Sequence, residues 1–258
     1  MKVRDIVRVI EDFAPLSNQE SWDNSGLCIG SPDAEVTSVL LGLDCTPELV
    51  DEAVSVGADM IVTHHPLIFS GLKRIAPDDP VGLAVIKAVS AGISVYAAHT
   101  SADKVIAGVS GAMAARLGLE DVGILDPGEN GAGLGVIGFL PEPLSAEAAI
   151  GLVKERFGLK VARCSRPSDV PIRKVALCGG AGSSLIGKAI ASGAQLYVSG
   201  DISYHHFFTP EGFMLMDIGH YESEKDIVAI LFSLIRKNFP TFAVRITENS
   251  YSNPIFYF

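Results

Sequence analysis

The 258-residue chain has few cysteines, few basic residues and no long apolar run, and each shortage excludes a class of protein. Its four cysteines, Cys28, Cys45, Cys164 and Cys178, are far apart and form no Cys-x-x-Cys pair. This spacing argues against a disulfide framework and against a thiolate zinc site. We expect all four to be small, buried, apolar residues.

Basic residues are outnumbered, because 20 Lys and Arg stand against 30 Asp and Glu and give a net charge of -10. Such a field repels a phosphate backbone, so the composition argues against nucleic-acid binding. No apolar run approaches the roughly 20 residues that a bilayer span requires. The N-terminus mixes charges of both signs and does not resemble a signal peptide. We expect a cytoplasmic protein without a membrane segment.

Apolar residues make up 48% of the chain, enough for one or two compact domains. Short β-rich runs alternate with amphipathic stretches, which predicts an α/β fold of two domains whose mixed sheets are flanked by helices. The first half predicts strands at 39–43, 60–63 and 93–97 and helices at 46–54, 81–91 and 102–117. The second half predicts strands at 135–140, 174–178, 195–199 and 213–217, helices at 145–157, 184–192 and 222–237, and closing strands at 242–247 and 253–258.

The glycine-rich stretch at 126–138 is the strongest shift in composition and is the predicted domain boundary. It divides the chain into an N-terminal domain at 1–126 and a C-terminal domain at 127–258. The closing segment of the second domain is expected to dock on an existing sheet and can return to the first domain.

Histidine is scarce, but all six histidines follow predicted strands: His64, His65, His99, His205, His206 and His220. Ligands bind at this edge in open α/β sheets, so the clustering favours a binding site. Taken alone, the adjacent His64 and His65 fit a pair of exposed loop histidines. The proline that follows them favours an extended or turn conformation, which can direct both imidazoles to one end of the sheet.

Two carboxylates extend this group of donors. His220 and Glu224 are four residues apart, and on a helix they share one face and suit a divalent metal. Asp103 follows another strand end, although capping of a helix explains it equally well.

The five donors are His64, His65, Asp103, His220 and Glu224. They exceed the needs of one tetrahedral zinc ion and suit two divalent ions that share a carboxylate. Zinc, manganese, iron and magnesium all remain open as the metal.

Two further segments have alternative interpretations. The glycine-rich turn at 178–184 follows a strand and opens a helix, so it can bind an anion or simply make a tight turn. The segment with Trp22, Asp23 and Asn24 holds the only tryptophan and is either a substrate loop or an anchored turn.

Together the motifs resemble the GTP cyclohydrolase I type 2 homologues, also called the NIF-three-like family. The matching motifs are Trp-Asp-Asn-Ser-Gly-Leu at 22–27, Thr-His-His-Pro at 63–66, His-Thr-x-x-Asp at 99–103, Ser-Gly-Asp with following histidines at 199–206, and Gly-His-Tyr-x-x-Glu at 219–224. The resemblance implies a dinuclear metal site in the cleft between two α/β domains, within a ring-shaped homohexamer. The short stretch at 126–138 leaves no room for the additional domain that some members insert.

The resemblance also assigns roles. His64, Asp103 and Glu224 hold one ion, while His65, His220 and Glu224 hold the other, with Glu224 bridging. His99 and His205 match positions near the metals and are candidate proton carriers or substrate contacts.

Two functions are consistent with these motifs. The first is a metal-dependent hydrolase of a small nucleotide-like substrate; for GTP, the attacked atom is C8 of the purine. The second is a non-catalytic metal-binding scaffold or regulatory assembly protein, because the sequence shows no unambiguous general base outside the metal ligands.

Overall fold

A computed structural model describes residues 1–128, 131–248 and 253–257. The chain forms two compact units, each made of two segments. The first unit is Met1–Ala102 with Ile227–Pro254, and the second is Asp103–Asp226 with Ile255–Phe258. Within the described ranges, no helix is long and apolar enough to cross a membrane.

The first unit contains a mixed sheet with strand order β1-β4-β3-β2-β11. Its strands are β1 (Gly26–Ile29), β2 (Ser38–Gly42), β3 (Met60–Thr63), β4 (Ser94–Ala97) and β11 (Ala243–Ile246). All neighbours pair in parallel except β1 and β4. Its helices are α1 (Val3–Phe13), α2 (Pro47–Val56), α3 (Pro80–Ser90), α4 (His99–Asp103, ending at the unit boundary) and α9 (Asp226–Asn238).

Helix α2 shows why the sequence folds locally as predicted. The Thr46 side chain accepts a hydrogen bond from the Leu49 backbone N–H at 3.2 Å, and Pro47 occupies the first turn. Gly57 ends the helix with a φ of 67°, a conformation that glycine adopts without strain. The apolar face of α2 packs with that of α3 into the buried core of this unit.

The second unit contains a mixed sheet with strand order β5-β6-β8-β9-β10-β7. Its strands are β5 (Glu120–Pro127), β6 (Gly133–Leu144), β7 (Arg163–Cys164), β8 (Ile172–Ala181), β9 (Leu196–Gly200) and β10 (Met214–Asp217). Only β8, β9 and β10 pair in parallel. Its helices are α5 (Val109–Leu117), α6 (Ala146–Phe157), α7 (Ile186–Ala191) and α8 (His220–Glu224). Two mixed sheets flanked by helices confirm the predicted fold class.

The division between the units differs from the boundary predicted at 126–138. That glycine-rich stretch connects β5 to β6, which pair antiparallel within the second unit. The chain instead changes unit after Ala102 and again after Asp226. Glycine content here marks a strand connection and not a linker between domains.

Several predicted elements have different bounds. The helix predicted at 102–117 is interrupted, because the Gly108 N–H donates to the Val105 carbonyl at 2.7 Å in a tight turn before α5. The closing strand at 242–247 is confirmed as β11, which pairs with β2. The strand predicted at 253–258 is absent from the described residues 253–257, and Phe258 lies outside the described residues.

The cysteines agree in part with the expectation of burial. Cys45 and Cys178 are buried, Cys28 and Cys164 are half-buried, and all four are free thiols.

The core of the second unit predicts that two Phe→Ala substitutions lower the free energy of unfolding by very different amounts. Phe157 is 1% exposed, whereas Phe208 is 74% exposed. Phe157→Ala should lower the free energy of unfolding by about 3–5 kcal/mol because it leaves a cavity. Phe208→Ala should change it by less than about 0.5 kcal/mol. Urea denaturation of both variants checks this, and equal losses would contradict the packing described.

Candidate metal centre

The first unit brings three histidines together at the ends of its central parallel strands. His64 and His65 follow β3, and both backbone N–H groups donate to the Leu43 carbonyl, at 3.1 and 3.0 Å. His99 follows β4. One ring nitrogen from each histidine lies within 4.8 Å of the others, so the trio has the spacing of metal ligands.

Two of these imidazoles contact an aspartate. His65 Nδ1 lies 2.7 Å from Asp44 Oδ1, and His99 Nδ1 lies 2.7 Å from Asp23 Oδ1. A carboxylate on one ring nitrogen leaves the other nitrogen to a ligand, as is usual for metal-binding histidines. His64 is fully buried beside them, with ring centroids 4.9 Å from His65 and 5.4 Å from His99.

The Asp23 carboxylate is engaged by the protein itself. Its Oδ2 accepts from Ser25 Oγ at 2.6 Å, from Thr100 Oγ1 at 2.5 Å and from the Thr100 N–H at 3.1 Å. Burial opposes ionisation, but the hydrogen bonds outweigh it and lower the pKa of Asp23 to about 2. Burial lowers the pKa of His99 despite the neighbouring Asp23 charge. Asp23, expected to contact substrate, therefore orients His99.

The residues that flank Asp23 have separate environments. Trp22 is 59% exposed, and its ring centroid lies 6.2 Å from His99 and 5.9 Å from Phe69. Asn24 Nδ2 donates to the Ile68 carbonyl at 2.5 Å and so ties this segment to the loop that carries Phe69. Trp22 is therefore the expected substrate residue that stays open to a ligand.

The second unit provides a buried carboxylate next to an imidazole. His220 Nε2 lies 3.0 Å from Glu224 Oε2, at the spacing of one helical turn predicted from the sequence. His220 Nδ1 lies 2.8 Å from Asp201 Oδ2. Glu224 is only 4% exposed. This pair offers a nitrogen and an oxygen donor from one short helix.

The glycine-rich turn at the end of β8 makes room for the Glu224 side chain. A Cβ added at Gly180, whose φ is +63°, would collide with Glu224 Oε1, and one at Gly179 would lie 3.4 Å from Glu224 Cγ. The Gly180 N–H donates to Ser223 Oγ at 2.9 Å. Of the two interpretations of this segment, the structure shows the tight turn, because a carboxylate occupies its concave side.

Asp103 and Glu224 both lie close enough to Cys178 to affect the pKa of its thiol. Burial, then the charge of Asp103 and to a lesser extent that of Glu224, raises the pKa of the Cys178 thiol to about 12. Both carboxylates therefore act on one thiol in the second unit.

His205 occupies a different environment. It is exposed on a short 3-10 turn at Tyr204–Phe207, with its ring 5.3 Å from Tyr204. His206 Nδ1 lies 2.9 Å from Ser203 Oγ. Neither histidine belongs to a metal-ligand group among the residues that the structure describes.

The sequence analysis missed two residues of the site, Asp44 and Asp201. Each follows a strand of the parallel part of its sheet, β2 or β9, as the histidines do. That shared position was the available signal, because the same edge carries the ligands. Only the folded structure shows which histidine each aspartate contacts.

The donor set fits a divalent transition metal. It contains imidazole nitrogens backed by carboxylates and carboxylate oxygens, and no thiolate. These groups define an α/β protein with candidate metal-binding residues in both of its units.

The chain belongs to the Duf34/NIF3 (NGG1p interacting factor 3) family, whose sequence pattern matches residues 1–254. A Clostridium perfringens protein named GTP cyclohydrolase 1 type 2 homolog is 36% identical over 228 residues, which cover 87% of each chain. A Streptomyces coelicolor protein of the same name is 33% identical over 235 residues, covering 86% of this chain and 81% of the relative. The family inferred from the motifs is thereby confirmed.

Solved structures show the same fold. The Staphylococcus aureus hypothetical protein SA1388 has a TM-score of 0.91 and 28% identity, covering 100% of this chain and 99% of its own. Reduced HcgD from Methanocaldococcus jannaschii has a TM-score of 0.82 and 26% identity, covering 96% of this chain and 98% of its own.

The close approach of Gly180 to Glu224 predicts that one added methyl group lowers stability at this position but not at a control glycine. Gly180→Ala should destabilise the protein by at least about 1–2 kcal/mol, because an alanine is strained at this φ and its Cβ displaces the Glu224 carboxylate. Gly151→Ala is the matched control, since a Cβ there meets nothing within 4 Å and sits inside helix α6. It should stabilise by up to about 1 kcal/mol. Thermal denaturation compares the two, and a Gly180→Ala variant as stable as the parent would refute the close approach.

Proposed function

We propose that this protein is a dinuclear metal-dependent hydrolase of a small nucleotide-like substrate. In this proposal His64, Asp103 and Glu224 hold one divalent ion, and His65, His220 and Glu224 hold the second. The observation that carries it is the burial of the Glu224 carboxylate 3.0 Å from His220 Nε2. A carboxylate oxygen and an imidazole nitrogen one helical turn apart are a donor pair that suits a divalent ion.

The other donors support the same proposal. The histidine group of the first unit has the spacing of metal ligands. The name of its relatives in the Duf34/NIF3 family, GTP cyclohydrolase 1 type 2 homolog, supports a nucleotide-like substrate. When bound, the ions supply Lewis-acid activation of water and substrate. Imidazole and carboxylate donors accept zinc, manganese and iron, so the chemistry of the donors leaves the metal open.

The protein's own residues orient the imidazoles and carry protons. Asp44 orients His65, and Asp23 orients His99. His99 lies against His64 and His65 with its pKa lowered by burial, so at neutral pH it is uncharged and can accept a proton at Nε2. We assign the proton carrier to His99 and not to the exposed His205.

Trp22 supports a substrate with a planar base. Its exposed indole lies beside His99 and offers a face on which a planar base can stack. A purine nucleotide such as GTP, named in the relatives, has this shape. The ring-shaped homohexamer implied by the family resemblance belongs to this proposal too.

Metal analysis tests the ligand assignment. The purified chain should hold two divalent ions, Glu224→Ala should lose both, and His65→Ala should lose at least one, because each variant removes a ligand. His206→Ala is the control, since His206 is exposed and contacts Ser203. Elemental analysis after dialysis measures the content. Less than one ion per chain in the parent, with no change in His65→Ala, would overturn the assignment.

Turnover tests the hydrolase. Incubation with nucleotides and phosphoesters under zinc, manganese or iron should show metal-dependent hydrolysis that Asp103→Ala abolishes. His99→Gln should keep its metals but lower kcat by about 10²–10⁴-fold, the usual contribution of a general base. A protein that binds two ions yet turns over nothing in the panel would instead be the metal-binding scaffold.

A further inference from the structure

Three imidazoles of this chain share one contact. In each, Nδ1 lies at hydrogen-bond distance from an aspartate: 2.7 Å for His65 and Asp44, 2.7 Å for His99 and Asp23, and 2.8 Å for His220 and Asp201. An ionised carboxylate can only accept a hydrogen bond. The facing Nδ1 must therefore carry the proton, so each aspartate fixes the direction of its ring and turns Nε2 away from itself. Nε2 of His220 in turn faces the Glu224 carboxylate at 3.0 Å.

The backbone is shaped to place Asp201 in this role. Its φ is +51°, a left-handed conformation that is uncommon outside glycine. The preceding Gly200 packs so tightly that an added Cβ would lie 2.9 Å from the His220 backbone. The crowded backbone beside His220 fixes the direction from which the Asp201 side chain reaches the imidazole.

Asp44 reaches its histidine through the loop after β2. Both His64 and His65 donate their backbone N–H groups to the Leu43 carbonyl, one residue before Asp44. This pairing holds the loop after β2 against the loop after β3, and Asp44 Oδ1 then contacts His65 Nδ1. The same contact between an aspartate and Nδ1 of a histidine therefore occurs in both units.

We propose that Asp44 and Asp201 are positioning residues that set the affinity of one of the two metal positions. This inference rests on the proposed function, in which His65 and His220 bind the same ion. That position then has one carboxylate ligand and two imidazoles, each backed by an aspartate. The other has two carboxylate ligands, Asp103 and Glu224, and one imidazole. The two ions should consequently be released separately.

The Asp23–His99 contact is an internal control. It has the same geometry, but His99 lies outside the five proposed ligands. Removal of Asp23 should therefore change the tautomer of His99 without releasing an ion.

The first experiment titrates the metal-loaded full chain with a chelator and counts the ions retained. Asp44→Ala and Asp201→Ala should each weaken one ion by about 10- to 100-fold and leave the other at its parental affinity. Asp44→Asn and Asp201→Asn should recover part of the loss, because the amide oxygen still accepts from Nδ1. Asp23→Ala should retain both ions. Circular dichroism confirms that each variant is folded.

The second experiment needs no metal. In the ¹⁵N-histidine-labelled, chelator-treated chain, long-range ¹H–¹⁵N correlations should show His65, His99 and His220 protonated at Nδ1. Each Asp→Ala substitution should shift only its own partner toward the Nε2–H form.

The outcomes separate the two proposals. If the parent holds two ions but Asp44→Ala and Asp201→Ala release them like the parent, or if Asp23→Ala also releases one, the inference is wrong while the metal centre stands. If the parent holds no ion, the proposed function and the affinity claim both fail. The NMR result then decides the orienting role, and imidazoles of His65 and His220 that carry no proton at Nδ1 would refute it.

Discussion

The buried Glu224 carboxylate is the group around which the neighbouring backbone of the second unit is arranged. Removing a charge from water is costly unless the protein surrounds it with suitable partners. Two consecutive glycines, Gly179 and Gly180, bring the backbone of β8 close to this side chain, and a single Cβ would close that space. Ser223 anchors the same turn by accepting from the Gly180 N–H. Helix α8 begins at His220 and ends at Glu224, so these two side chains lie one turn apart.

The first unit packs three imidazoles close together and fixes the directions of two of them through aspartates. Three rings packed within van der Waals reach would repel one another if all were protonated. Burial favours the neutral form of His99, and Asp23 fixes its ring without reversing that preference. The Asp23 carboxylate is in turn held by Thr100, the residue next to His99. The orientation of His99 is thus fixed by hydrogen bonds within the protein.

Sequence patterns predicted the fold class and most of the strands, although not β1, β5 or β7, because the hydrophobic period is local and strand connections follow general rules. They could not predict the contacts of Asp23, Asp44 and Asp201, since each depends on which loop lies beside which histidine after folding. The stretch at 126–138 was misleading for a related reason. Glycines mark both linkers and strand connections, and only the pairing of β5 with β6 distinguishes them.

The charges of the site give the metals a second role in the proposed function. Asp44, Asp103, Asp201 and Glu224 place four of the chain's negative charges at the proposed metal centre, and the net charge of the whole chain is -10. A nucleotide polyphosphate would be repelled by such a site. Two divalent ions offset those four charges, so metal loading must precede the binding of an anionic substrate. The same carboxylates that retain the ions would thereby make substrate binding depend on them.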